Sequence, residues 1–212
     1  MRCGEMKQPK FIYHITHVDN LPGILAEGRL WCDSIRVERN LQTTSIAHEH
    51  IKLRRLKRDV PVAAHGNLAD YVPFNFCFRS VMLYAIYAGA VAQYTDGQNP
   101  IVHLVSSVDD AVATGRRWAF TDRHAELAYA QYFDSLEDLD KIDWKVMPLT
   151  YWAGSEETKE KRQAEFLVNQ WFPWTAVRAV CVRARQTAER VEQILAGEST
   201  RPRVSVKPGW YY

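Results

Sequence analysis

The sequence predicts an α+β fold, and three observations carry that prediction. Candidate helices and strands interleave without the regular βαβ rhythm of a doubly wound sheet. Neither a GxGxxG turn nor a P-loop is present, so the nucleotide-binding α/β frameworks built on those loops are not supported. With 212 residues, 47% of them hydrophobic and 25% charged, the chain suffices for one domain over residues 1–212 with a full core. It contains no internal repeat and no low-complexity segment.

The elements are read in order. Phe11 to Thr16 is apolar and β-rich, a short strand. Asn20 is placed to cap a helix carrying Leu21, Ile24 and Leu25 at helical spacing, and Gly28 to end it. Ile51 to Lys57 reads as a helix. Val72, Phe74, Phe76 and Phe78 alternate as in a strand with one buried face, and Pro73 places the start of that strand at an edge or just outside the ladder. A helix starts at Ser80 and runs to Tyr87. Ile101 to Val105 is a strand, followed by a Ser107-capped helix ending at Gly115. Trp118 to Thr121 and Val177 to Val182 are further strands, and Ala188 to Leu195 is a helix closed by Gly197. Ala153 to Lys161 is polar and reads as a loop.

Composition narrows the function classes. Cys3, Cys32, Cys77 and Cys181 form no CxxC pair, which argues against a zinc ribbon or a dense disulfide framework and favours free thiols in a reducing cytosol. No apolar run is long enough to span a membrane, and Met1 to Lys10 lacks the apolar core of a signal peptide, so a soluble cytoplasmic protein is expected. The net charge of +2 is small but unevenly placed. Lys52, Arg54, Arg55, Lys57 and Arg58 crowd into seven residues, which is either a solvated helix face or a phosphate-contacting surface.

Two strings are chemically informative. In Arg162-Gln163-Ala164-Glu165-Phe166-Leu167-Val168, a strand over 163–168 puts Gln163 and Glu165 on one face and Ala164, Phe166 and Val168 on the other. That pattern fits an exposed polar edge, or a cleft wall whose carboxylate could stabilise a developing sugar cation. In Tyr13-His14-Ile15-Thr16-His17, His14 and Thr16 share a strand face. They are either a core-edge pair or a wall able to hydrogen-bond a ribose or a carboxamide. Nothing near His14 and His17 completes a metal-ligand set, and His48-Glu49-His50 is not a HEXXH arrangement.

These strings belong to a longer ordered series. With Asn20-Leu21, Ile51-Lys52, Arg54-Arg55, Tyr71-Val72-Pro73-Phe74, Arg79-Ser80, Met82-Leu83-Tyr84, Phe120-Thr121-Asp122 and Trp210-Tyr211-Tyr212 the chain resembles the DarT family of DNA ADP-ribosyltransferase toxins over nearly its whole length. Where family members carry prolines around Arg79-Ser80, this chain has Phe78 and Val81.

The resemblance implies an ADP-ribosyltransferase-like mixed sheet split around an NAD⁺ cleft, with helices on the flanks. It implies transfer of ADP-ribose from NAD⁺, consumed as a substrate without a metal, to a base in single-stranded DNA: thymine in preference to guanine. It places Glu165 at the catalytic glutamate and Arg54 or Arg55 at the catalytic arginine, with Arg55 favoured. A guanidinium is too weak a base to take a proton, so its expected role is electrostatic. His14, Thr16, Asn20 and His124 fall on the cofactor side. Gln163 and the segment from Ala153 fall on the acceptor side. Trp118, Tyr151 and Trp152 are candidates to stack bases, and Lys57, Arg58, Lys159 and Lys161 to track phosphates. A DarG-type antitoxin with a macrodomain is the implied partner. The other readings are an ADP-ribosyltransferase acting on protein or RNA, and a nucleic-acid-binding module without catalysis.

Overall fold

The computed structural model describes residues 9–152 and 154–212. Cys3, most of the amino-terminal segment and Ala153 lie outside the described residues. The strands are β1 (Phe11–His17), β2 (Arg29–Trp31), β3 (Tyr71–Asn75), β4 (Ile101–Ser107), β5 (Trp118–His124), β6 (Tyr132–Phe133), β7 (Ala164–Asn169), β8 (Trp171–Pro173), β9 (Ala179–Val182) and β10 (Arg203–Val206). The α-helices are α1 (Leu21–Glu27), α2 (Asp33–Glu38), α3 (Glu49–Arg55), α4 (Val81–Tyr87), α5 (Val108–Ala113), α6 (Glu156–Lys161) and α7 (Arg185–Ile194).

Eight strands make one mixed sheet in the order β10-β9-β4-β1-β3-β7-β5-β6, while β2 and β8 pair separately. The β9–β10 pairing is parallel and the other strand pairings are antiparallel. β4 is buried along its whole length, His103 included. Phe74, Phe120, Phe166 and Phe172 pack with Ala111 of α5 and Val191 of α7 in the largest core. Leu83 and Ile86 of α4 pack with Ile101 and Tyr211 in a second. Val60, Leu68, Tyr71 and Leu167 form a third.

Where the sheet splits is set by Pro73. It sits inside β3, not at its edge, and β3 runs alongside β7 from Tyr71–Asn169 to Asn75–Glu165. Its side toward β1 is different. Among the described residues, β1 meets β3 at one paired position only, Tyr13 with Asn75. Proline has no N–H to offer a ladder, and the Pro73 carbonyl accepts instead from His14 Nδ1 at 2.8 Å. Beyond Tyr13–Asn75 the two strands part, and the gap is the mouth of the cleft.

Other departures have local causes. Asn20 does not cap α1: it closes a 3₁₀ turn over Val18–Asn20 and makes no capping bond. Gly28 does end α1, at φ 64°, a left-handed conformation that glycine adopts without steric cost. The polar stretch read as a loop contains α6. Ser155 caps it by accepting from Thr158 N, and Glu157 pairs with Lys161 one turn on at 2.8 Å. The alternation through Phe78 outruns its strand, since β3 ends at Asn75. The helix predicted over 51–57 begins two residues earlier. β2, β6, β8, β10 and α2 are too short to leave a periodic signal.

Candidate active site

A cleft of about 440 Å³ opens where β1 and β3 diverge, a size typical of small-molecule sites. His14 and Thr16 of β1 line one wall, Glu165 and Gln163 another, and Arg55 reaches in from α3. β7 brings Glu165 there. Ala164, Phe166 and Val168 face the main core, which aims the alternate residue, Glu165, at the cleft. The Glu165 backbone N–H donates to Thr121 Oγ1 at 3.1 Å, beside an irregularity in the β5–β7 ladder between Phe120 and His124. Thr121 therefore fixes the height of Glu165 in the sheet. Sequence reading missed this role, although Thr121 lies in a quoted motif.

Glu165 is 7% exposed and Arg55 9%. One Arg55 nitrogen, Nη1, donates to both carboxylate oxygens, at 2.9 Å and 3.2 Å. Nη2 reaches the Leu68 carbonyl at 3.5 Å. Burial works against the cation, but attraction to Glu165 and the hydrogen bond outweigh it and raise the Arg55 pKa. The guanidinium is thus a fixed charge, unable to act as a base.

The register of the adjacent arginines follows from helix geometry. Neighbouring residues point about 100° apart around an α-helix, so only one of the two can face the cleft. Arg55 does. Arg54 turns outward and bonds Glu126 at 2.7 Å, which corrects the expectation that it is an alternative cleft residue.

His14 is held neutral, its pKa lowered by burial. With Nδ1–H donating to Pro73, its Nε2 is left as an acceptor. Thr16 Oγ1 accepts from Asn20 Nδ2 at 2.9 Å. The Asn20 amide also bonds Thr44 in both directions, donating to its carbonyl at 2.9 Å and accepting from its N–H at 2.7 Å. Asn20 lines the cleft, but its polar atoms are engaged in holding the loop over 41–48, whose residues Thr43 to His48 also line the cleft. His124, at the end of β5 opposite Ala164, lines it too.

Several acceptor-side expectations need correction. Gln163 lines the cleft but precedes β7, with its amide donating to the Lys159 carbonyl. Trp152 is 6% exposed, and its indole N–H donates to the Tyr212 hydroxyl, so its ring is packing rather than a stacking surface. Trp118 stacks on Phe120 and Phe166. Arg58 is spent on the carbonyls of Ala125, Leu127 and Ala128. Lys159 and Lys161 pair with acidic neighbours. Tyr151, 77% exposed, and Lys57 do face solvent.

Two further cations line the cleft: Lys52, from the basic run read as a possible phosphate-contacting surface, and Arg36, which sequence reading passed over. Arg36 Nη1 bonds Asp33 at 2.6 Å, and among the described residues its buried Nε has no hydrogen-bond partner. An orphaned donor in a cleft wall fits an anionic group of a ligand. Among the described residues no three His, Cys, Asp or Glu side chains gather as a metal site. None of the described helices is long and apolar enough to cross a membrane.

Comparison with known proteins bears on this arrangement. Residues 13–212 match the family model described as ssDNA thymidine ADP-ribosyltransferase, DarT. A DNA ADP-ribosyl transferase of Thermus sp. strain 2.9 is 46% identical over 97% of this chain and 97% of its own. A solved structure of Thermus sp. 2.9 DarT in complex with ADP-ribosylated ssDNA superposes with a TM-score of 0.92, at 46% identity, over 96% of this chain and 97% of that one. Another, in complex with NAD⁺, gives a TM-score of 0.89 at 43% identity over 98% of this chain and 100% of that one.

Proposed function

This chain belongs to the DarT family, and on that premise we propose that residues 1–212 act as one ADP-ribosyltransferase domain. It transfers ADP-ribose from NAD⁺ to thymidine in single-stranded DNA and releases nicotinamide. The observation that carries this reading is the buried Arg55–Glu165 pair, set in a cleft opposite His14 and Thr16.

The roles follow from chemistry. His14 and Thr16 hold the nicotinamide end of NAD⁺, with Nε2 of His14 as a fixed acceptor. The diphosphate lies by Arg36 and Lys52. Glu165 accepts from the hydroxyls of the nicotinamide-side ribose. As the bond from ribose C1 to nicotinamide breaks, its electron pair leaves with nicotinamide and positive charge grows on the sugar, beside the carboxylate. The thymine ring nitrogen forms the new bond to ribose C1, and its proton passes to water. Arg55 keeps Glu165 aimed, and its charge offsets the negative charge that develops on the base. The bases need not be pulled from a duplex, which spares a few kcal/mol of unpairing.

As a toxin it would act in the cytoplasm in this reading, where NAD⁺ and transiently single-stranded DNA coexist, restrained by a DarG-type antitoxin. The buried free thiols of Cys32, Cys77 and Cys181 suit that compartment. The test is mass spectrometry of oligonucleotides differing in one base after incubation with enzyme and NAD⁺. Thymidine-containing strands gain one ADP-ribose. Labelling confined to protein or RNA would replace the DNA reading, and full activity in Glu165→Ala would remove the carboxylate from the mechanism.

A further inference from the structure

Helix α4 presents three stripes. Val81, Met82 and Ala85 line the cleft, and Leu83 and Ile86 are buried in the core. At 100° per residue, Tyr84 and Tyr87 fall on a third stripe adjoining Val81. They are 41% and 58% exposed. Between them and the turn before α4 lies the Tyr212 ring, 5.1 Å from Tyr84 and 6.0 Å from Tyr87 in a near-parallel arrangement. Tyr84 also packs on Trp152, which leads into the segment before α6 and Gln163. The tyrosines thus border the acceptor-side loop.

Arg79 completes the strip. Its guanidinium lies 4.3 Å from the centre of the Tyr212 ring. Its Nε is buried without a hydrogen-bond partner, and among the described residues its side chain has neither a hydrogen bond nor a carboxylate partner. The contrast with its neighbours lies in the guanidinium as a whole: Arg55, Arg58 and Arg123 bond carboxylates or carbonyls, and Arg162, whose Nε is likewise without a partner among the described residues, still bonds three carbonyls through Nη1 and Nη2. An unpaired cation against an exposed aromatic surface is complementary to a nucleotide, which offers a phosphate and a flat π-face together.

We propose that Arg79, Tyr84 and Tyr87, with the Tyr212 ring between them, dock the nucleotide flanking the modified thymidine. The phosphate lies on the guanidinium and the base on the tyrosine faces. This rests on single-stranded DNA being the acceptor. The strip adjoins the cleft wall on the same helix, so a strand with its target base in the cleft continues onto the tyrosines. It supplies affinity and register, not chemistry.

The experiment measures transfer to a thymidine-containing oligonucleotide and to a single thymidine nucleotide, across a salt series, for the wild type, Arg79→Gln and Tyr84→Ala/Tyr87→Ala. NAD⁺ affinity, measured by titration, reports an intact fold. With the oligonucleotide, the double tyrosine variant raises KM about tenfold or more at little changed kcat. Arg79→Gln makes the dependence of log(kcat/KM) on log[salt] shallower by about 0.7, the signature of one lost phosphate contact on a single strand. Both effects vanish on the single nucleotide. Variants that match the wild type on the oligonucleotide at every salt concentration overturn the strip while leaving DNA modification standing. Equal losses on both acceptors would show a disturbed cleft and overturn it as well. A wild type that modifies no DNA would bring down the acceptor reading, and the strip with it.

Discussion

Replacing either member of the Arg55–Glu165 pair by an apolar side chain is expected to cost more stability than replacing both. In Glu165→Leu a guanidinium held by 2.9 Å and 3.2 Å bonds loses its counter-charge, and only the long 3.5 Å contact to Leu68 remains. Removing one partner of a buried pair costs about 3–5 kcal/mol; the cleft admits some water, so the lower end applies. For a chain of this length that lowers Tm by about 6–12 °C. Arg55→Met strands the carboxylate at a similar cost. In Arg55→Met/Glu165→Leu no charge is stranded, and a buried pair replaced by well-packed apolar groups is close to neutral. The double variant should therefore recover most of the lost stability while all three variants lose transfer. Urea unfolding of the four proteins closes the cycle. Singles whose costs simply add in the double, to about 6 kcal/mol, would refute the coupling. So would singles as stable as the wild type.

Two further outcomes follow from the same geometry. Asn20→Ala removes both bonds to the Thr44 backbone and frees the loop that covers the cleft. KM for NAD⁺ should rise roughly tenfold at nearly constant kcat, given about 0.5–1.5 kcal/mol for each lost hydrogen bond; an unchanged KM would mean the loop needs no anchor. Stability should also fall with pH through His103. It is buried with Nε2–H donating to Phe78 and Nδ1 beside the Tyr211 hydroxyl, and burial lowers its pKa to about 4. Between that value and an unfolded value near 6.5 the unfolded chain binds the extra proton, so stability is full above about pH 6.5 and is lost as pH falls toward 4. The loss is about 2 kcal/mol by pH 5. His14, shifted in the same direction by burial, adds to it. Thermal unfolding from pH 7 to 4.5 measures the slope, and a His103→Gln protein with the same slope would clear His103 of the effect.

Much of the cleft was legible in the sequence because its residues sit on periodic elements. Alternation in 164–168 separates Glu165 from the core-facing residues whatever its partners are. What could not be read was pairing. Gln163 matches Glu165 in period but precedes the strand, because the residues before it close α6. Trp152 and Arg58 looked like surface groups by type, yet a hydroxyl and three carbonyls, distant in sequence, claim them. Arg162 is the extreme case, a fully buried cation held by the Val146, Met147 and Arg79 carbonyls with no carboxylate partner among the described residues. Residue type predicts the chemistry a side chain can do. Which group consumes that capacity depends on contacts far apart along the chain.

Stability does not account for the Arg55–Glu165 pair, since an apolar pair would hold that part of the fold about as well. What an apolar pair could not supply is a carboxylate aimed into the cleft. Glu165 reaches that position because Thr121 sets its height and because β1 and β3 part beyond Tyr13 and Asn75. Had residue 73 carried an N–H, the ladder could have continued and closed the gap in front of the carboxylate. Its missing donor leaves a carbonyl for His14, and that bond fixes the tautomer facing the cleft. Pro73 thus opens the cleft and orients one of its walls, although its side chain takes part in no chemistry.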